Sequence, residues 1–94
     1  MRPVPLTTKT ALPVPSEVAD RLRDWVRFVL DLPQETLVQV SQLRRHDTGP
    51  APMETVLAVL RPGAPFARTI PLPAGQVCAA DVLTALHDLP RRTA

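Results

Sequence analysis

Cysteine, glycine and histidine are scarce in this chain, and each shortage removes a class of function. One cysteine among 94 residues, Cys78, forms neither an internal disulfide nor a cysteine-based zinc site. The three glycines stand alone, so there is no glycine-rich loop to hold phosphates. His46 and His87 lack the close spacing of paired metal ligands. We therefore expect neither a metal nor a cofactor.

Long apolar runs are also missing. No stretch approaches the roughly 20 apolar residues that cross a membrane, and prolines interrupt the first fifteen residues where a signal peptide would be apolar. We expect a cytoplasmic protein with no membrane partner. Lys9 is the only lysine among eleven basic residues, and the abundance of Ala, Pro, Val, Leu and Arg is typical of GC-rich genomes, which suggests a bacterial source.

No catalytic set is recognisable. A nucleophile needs a positioned base, with a carboxylate behind it in many enzymes. His46 and Asp47 are adjacent in sequence, but neighbours on an extended segment point apart, and no serine follows the pattern of a nucleophile turn. We expect that the protein is not an enzyme, and no class of small-molecule substrate is indicated.

Residues 54–61 are the most apolar stretch and indicate the central strand of a sheet. Val56, Ala58 and Leu60 share one face of this strand, and Leu57 and Val59 lie on the other with Thr55. A strand that is apolar on both faces is normally covered on both. The eight residues end at Pro-Gly, which favours a strand over a helix.

The flanking segments predict two helices and two more strands. Ser16 is a natural N-cap for a helix that reaches Leu32, because apolar residues recur there at three- and four-residue intervals. Trp25 is expected to be a core anchor under the sheet. Residues 35–45 are a second predicted strand, with either a bulge near Ser41 or a face of mixed character. Residues 66–72 are a third strand, which Pro71 places at an edge of the sheet. A second helix is predicted over residues 79–89.

The resulting fold class is α+β, with two layers. A helix is followed by a three-stranded antiparallel meander and a second helix. We divide the chain into a flexible Pro-rich arm (1–15), a single small domain (16–90) and a frayed tail (91–94).

Residues 35–88 resemble a group of small bacterial proteins of unknown function. The similar features are the strand at 36–40, the Pro-rich loop at 48–52, the strand at 54–61, and Val77 followed by Asp81 and Val82. Such proteins often carry a cysteine in that loop, and this chain has none there. The resemblance implies no activity.

The leading functional hypothesis is a non-enzymatic protein-binding or accessory module, because an apolar strand face would be left uncovered in a three-stranded sheet. The partner is another protein or a second copy. For a symmetric dimer through the sheet, we expect Leu57 and Val59 near the centre of the interface.

Two alternatives stay open. The first is weak nucleic-acid binding by Arg44, Arg45 and Arg68, in keeping with the sequence pI of about 9.5, although the net charge is only +2. The second is a reactive thiol at Cys78, at the start of the last helix. The helix N-terminus favours a thiolate there, whereas Asp81 opposes it, so we expect a buried, inert cysteine and normal folding of Cys78→Ser.

Overall fold

The fold is taken from a computed structural model, which describes residues 9–45 and 53–89. The predictions for residues 1–8 of the arm, for the 46–52 loop with His46, and for 90–94 lie outside those ranges. The described chain forms β1 (Lys9–Leu12), α1 (Ser16–Leu30), β2 (Leu37–Arg45), β3 (Met53–Leu60), β4 (Phe66–Ile70), a single 3₁₀ turn (Ala74–Gln76) and α2 (Ala79–Leu86).

The sheet has four antiparallel strands in the order β1-β2-β3-β4. The predicted three-stranded meander is present as β2, β3 and β4, and β4 is an edge strand as expected. The prediction of a flexible arm is wrong for residues 9–12, because β1 pairs with β2 from Lys9 opposite Arg45 to Leu12 opposite Gln42. The prolines that suggested a flexible arm flank this short strand and do not interrupt its ladder.

The pairing of β2 with β3 is continuous. Leu37 lies opposite Leu60 and Arg44 lies opposite Met53, with one residue facing one residue throughout. The predicted bulge near Ser41 is therefore wrong. Leu43 instead lies on the same face of β2 as Leu37, Gln39 and Ser41. This face is mixed in character, as the alternative prediction stated.

Both helices lie on one side of the sheet, and the core is between the two layers. Its sheet residues are Val38, Leu57, Val59 and Ile70, and its helix residues include Leu22, Val26, Leu30, Val82 and Leu86. The apolar positions of each helix recur every three or four residues, so each helix buries one stripe. The opposite side of the sheet, with Val56, Ala58 and Leu60, is covered by neither helix.

The ends of α1 differ from the prediction. The N-cap is Pro15, whose carbonyl accepts a hydrogen bond from the Ala19 N–H at 3.0 Å, and Ser16 is the first helical residue. Proline suits this position because its φ is already fixed in a compatible range. The helix ends two residues before Leu32, since Asp31 adopts the left-handed conformation at φ 53°. Aspartate tolerates this region better than most residues.

Polar side chains tie the connections to the sheet. Gln42 accepts a hydrogen bond from the Ala74 N–H at 2.9 Å through Oε1 and donates through Nε2 to the Pro13 carbonyl at 3.3 Å. Thr55 is fully buried and donates to the Leu72 carbonyl at 2.7 Å. These contacts hold the segments before α1 and after β4 in fixed positions relative to the central strands.

Candidate protein-binding surfaces

Leu57 and Val59 are buried completely, with 0% of each exposed to solvent. They lie on the helix side of β3, opposite Arg68 and Phe66 of β4. The prediction that they lie near the centre of an uncovered face is therefore wrong, because the helices cover that side of the strand.

The uncovered side of the sheet presents eight neighbouring residues that we call the open face: Leu37, Gln39, Ser41, Val56, Ala58, Leu60, Ala67 and Thr69. None of the eight is charged; the charged residues on this side of the sheet, Arg45 and the buried Glu54, are at the other end of β2 and β3 from Leu37 and Leu60. Leu37 and Leu60 are opposite each other across β2 and β3, and they are 53% and 41% exposed. Residues directly opposite in an antiparallel pair have Cβ atoms about 5 Å apart, so the two leucines form one apolar patch.

A second apolar surface lies on the outside of the helix layer. A groove of about 280 Å³ runs between the two helices, lined by Trp25, Phe28, Val29, Ala79, Ala80 and Leu83, and we call it the α1–α2 groove. Phe28 is 84% exposed and Leu83 is 47% exposed. The predicted core anchor Trp25 is half-buried at the wall of this groove, with the Arg21 guanidinium 5.5 Å from its ring.

Sequence reasoning missed Phe28, although a signal was present. Phe28 follows the buried Val26 by two positions, which rotates it about 200° around the helix to the side facing away from the sheet. A large aromatic residue outside the buried stripe is the pattern of an exposed anchor.

The three arginines of the nucleic-acid alternative are not brought together. Arg44 and Arg45 point to opposite faces of β2 because side chains alternate along a strand. Arg44 and Arg68 are two strands and four residues apart, about 16 Å by strand geometry.

Arg68 is also occupied by other groups. It contacts the Asp88 carboxylate at 3.5 Å, and its guanidinium is 5.7 Å from the Phe66 ring. Nucleic-acid binding stays a prediction that this arrangement does not favour.

Cys78 is exposed, so the prediction of a buried cysteine is wrong. It is the N-cap of α2, as expected, with Asp81 as the carboxylate of the capping pair. The Cys78 backbone N–H and thiol both donate to Asp81 Oδ2, at 2.9 Å and 3.2 Å. These hydrogen bonds, the backbone one first, lower the pKa of Asp81 below its ordinary value, against a smaller effect of burial.

His87 follows the end of α2, where its Nδ1 lies 2.8 Å from the Thr84 carbonyl oxygen. Within residues 9–45 and 53–89, no three potential metal ligands among His, Cys, Asp and Glu come together. In the same ranges, neither helix has the length and apolar character to cross a bilayer.

Comparison of the chain with protein-family models, with curated proteins and with solved structures finds no match. The two apolar surfaces are therefore the basis for assigning a function.

Proposed function

We propose that this chain is a non-enzymatic protein-binding module and that it binds its partner through the open face of the sheet. The observation that carries this proposal is the lack of charge across the open face, combined with the exposed Leu37–Leu60 pair. The solvent side of an antiparallel sheet is normally polar, and the centres of protein interfaces are depleted of charged residues.

The shape of the open face suits a flat partner surface. Ala58 and Ala67 lie opposite each other near its middle, so another backbone can approach closely there. By strand spacing, the eight residues cover about 300 Å², which is in the size range of functional apolar patches. This area is below that of a stable interface, so we expect transient binding to a sheet or helix of another protein, or of a second copy.

A binding role is favoured over catalysis by the positions of the reactive side chains. The Cys78 thiol donates to the Asp81 carboxylate, whose lowered pKa makes it a poor acceptor for the thiol proton. His87 is at the opposite end of α2, about 13 Å away by helix rise. The two side chains are therefore too far apart to act as a pair.

Site-specific cross-linking tests the open face directly. We expect a photoreactive amino acid at position 60 to give covalent protein adducts in the source cells, and one at the exposed Ala64 of the β3–β4 turn to give none. Adducts of twice the 10.3 kDa chain mass would identify the partner as a second copy.

The variant Leu37→Glu provides the second arm of this experiment. Leu37 is exposed, so the variant should keep its thermal unfolding midpoint while the adducts from position 60 fall at least about tenfold. Equal adducts from positions 60 and 64, or adducts that survive Leu37→Glu, would show that the open face is not the binding surface.

A further inference from the structure

Phe28 is the most exposed large apolar side chain in the described ranges, at 84%, and it stands at the edge of the α1–α2 groove. Trp25 and Val29 form the groove wall on α1, and Ala79 and Ala80 leave space on the α2 side. A cavity of about 150 Å³ holds a benzene ring, so the 280 Å³ groove has room for a phenylalanine side chain. Its own Phe28 does not fill it.

We infer that the chain forms a symmetric dimer in which Phe28 of each copy inserts into the α1–α2 groove of the other. Phe28 and the α1–α2 groove lie on the same face of the molecule. When two copies are related by a two-fold axis, Phe28 of each copy therefore enters the groove of the other, and the same contact forms twice. The occupant of the groove is thus a second copy of this chain. This dimer does not depend on the open face, which it leaves accessible on the outside of both copies.

One pair of opposite charges on α1 favours this partner. In two antiparallel α1 helices related by an axis near position 26, residue 28 lies beside residue 24 of the second copy, next to Trp25 and the groove. The same arrangement places Arg21 opposite Asp31 of the second copy, and this pair occurs twice.

The available area sets the strength of the dimer. The fifteen residues of α1 extend about 22 Å and the eight residues of α2 about 12 Å, and each helix is about 10 Å wide, so each copy offers about 340 Å². The total of about 700 Å² is below the size of standard specific interfaces, which indicates a weak, reversible dimer. We expect a dissociation constant in the micromolar range.

Sedimentation velocity of the full chain between about 1 and 500 μM tests the inference. Wild type should pass from monomer to dimer over this range, which spans the expected dissociation constant. Phe28→Glu should raise the dissociation constant at least about a hundredfold, because it removes the central anchor. Phe28 is solvent-exposed, so this variant should keep the wild-type circular dichroism and melting temperature.

Three further variants make the test specific. Ala80→Glu places a charge in the groove at the first turn of α2, where an acid suits the helix, and it should also give monomer. Arg21→Glu and Asp31→Lys should each weaken the dimer, and together they should restore it. Ala64→Glu, in the exposed β3–β4 turn, is the matched control and should leave the dissociation constant unchanged within about twofold.

A wild-type chain that stays monomeric at 500 μM would overturn the inference, as would a dimer that survives both Phe28→Glu and Ala80→Glu. A dimer that dissociates on Leu60→Glu but not on Phe28→Glu would also overturn it, and would assign self-association to the open face instead. Failure of the open face to bind a partner, with the Phe28 dimer intact, would reject the proposed function and leave this inference standing.

Discussion

At the scale of single residues, Asp81 has the clearest electrostatic role. Its carboxylate accepts hydrogen bonds from the Cys78 N–H and thiol, at 2.9 Å and 3.2 Å, and these stabilise its ionised form. The lowered pKa therefore reflects local capping of α2 and not a catalytic environment.

We predict that the Asp81 capping contact is lost in acid. The pKa of Asp81 in the folded chain is below the ordinary 3.8, so its contribution to the free energy of unfolding is fully present above pH 3.8. The contribution is lost as the pH falls through the lowered pKa. An NMR titration of the side-chain carboxyl carbon should give a midpoint below 3.8, and a midpoint at or above 3.8 would contradict the capping role. In Asp81→Asn, the difference in melting temperature from wild type should shrink below that pH.

Among the individual residues, the sequence indicated the capping pair but not its exposure. The spacing of Cys78 and Asp81 before an apolar helix was sufficient to predict the contact, because capping depends only on local geometry. Whether a cysteine at a helix end is buried depends on which neighbouring segments pack over it, and these are distant in sequence.

At the scale of elements, β1 is held by more than its ladder. The Pro13 carbonyl just after β1 accepts a hydrogen bond from the Nε2 group of Gln42 in β2. The Oε1 atom of the same side chain accepts a hydrogen bond from the Ala74 N–H. Gln42 therefore links the start of the described chain, the sheet and the segment before α2.

We predict that Gln42→Met destabilises the fold by about 1–2 kcal/mol, because it leaves the partly buried Ala74 N–H without its acceptor. Methionine has a similar length and flexibility, so loss of packing should be small. Chemical denaturation gives the difference in the free energy of unfolding, and hydrogen exchange at Ala74 should become faster. Gln39→Met is the matched control on the solvent side of the same strand, and it should change stability by less than about 0.5 kcal/mol.

The two helices and β2 to β4 followed from the sequence, but β1 and the covered side of β3 did not. Both faces of β3 are apolar, so its own alternation does not show which face the helices cover. The signal was in β2, where Gln39 and Ser41 mark the solvent side and lie opposite Ala58 and Val56. Pairing the two strands in register would have assigned Leu57 and Val59 to the core.

At the scale of the whole molecule, one small core supports the fold. Leu22 of α1 is fully buried and belongs to the cluster that joins both helices to the sheet. Domains of this size have a modest free energy of unfolding, so one large cavity removes a substantial part of it.

We predict that Leu22→Ala lowers the free energy of unfolding by about 3 kcal/mol, through lost burial and the cavity that remains. The exposed Leu83→Ala on α2 is the control and should cost less than about 1 kcal/mol. Urea denaturation measures both values, with the same dependence of the unfolding free energy on urea concentration expected for wild type and variants. Equal losses for the two variants would mean that the helix layer does not pack as described.

The placement of β1 at the edge of the sheet also has a consequence for the order of folding. Leu12 pairs with Gln42 across 30 residues, whereas Val59 pairs with Phe66 across 7. Closing the longer loop costs about 1 kcal/mol more in chain entropy, so β1 should dock after the β2–β4 meander has formed. Until it docks, β2 has a bare edge, and at high protein concentration during refolding the first strand of another chain competes for that edge.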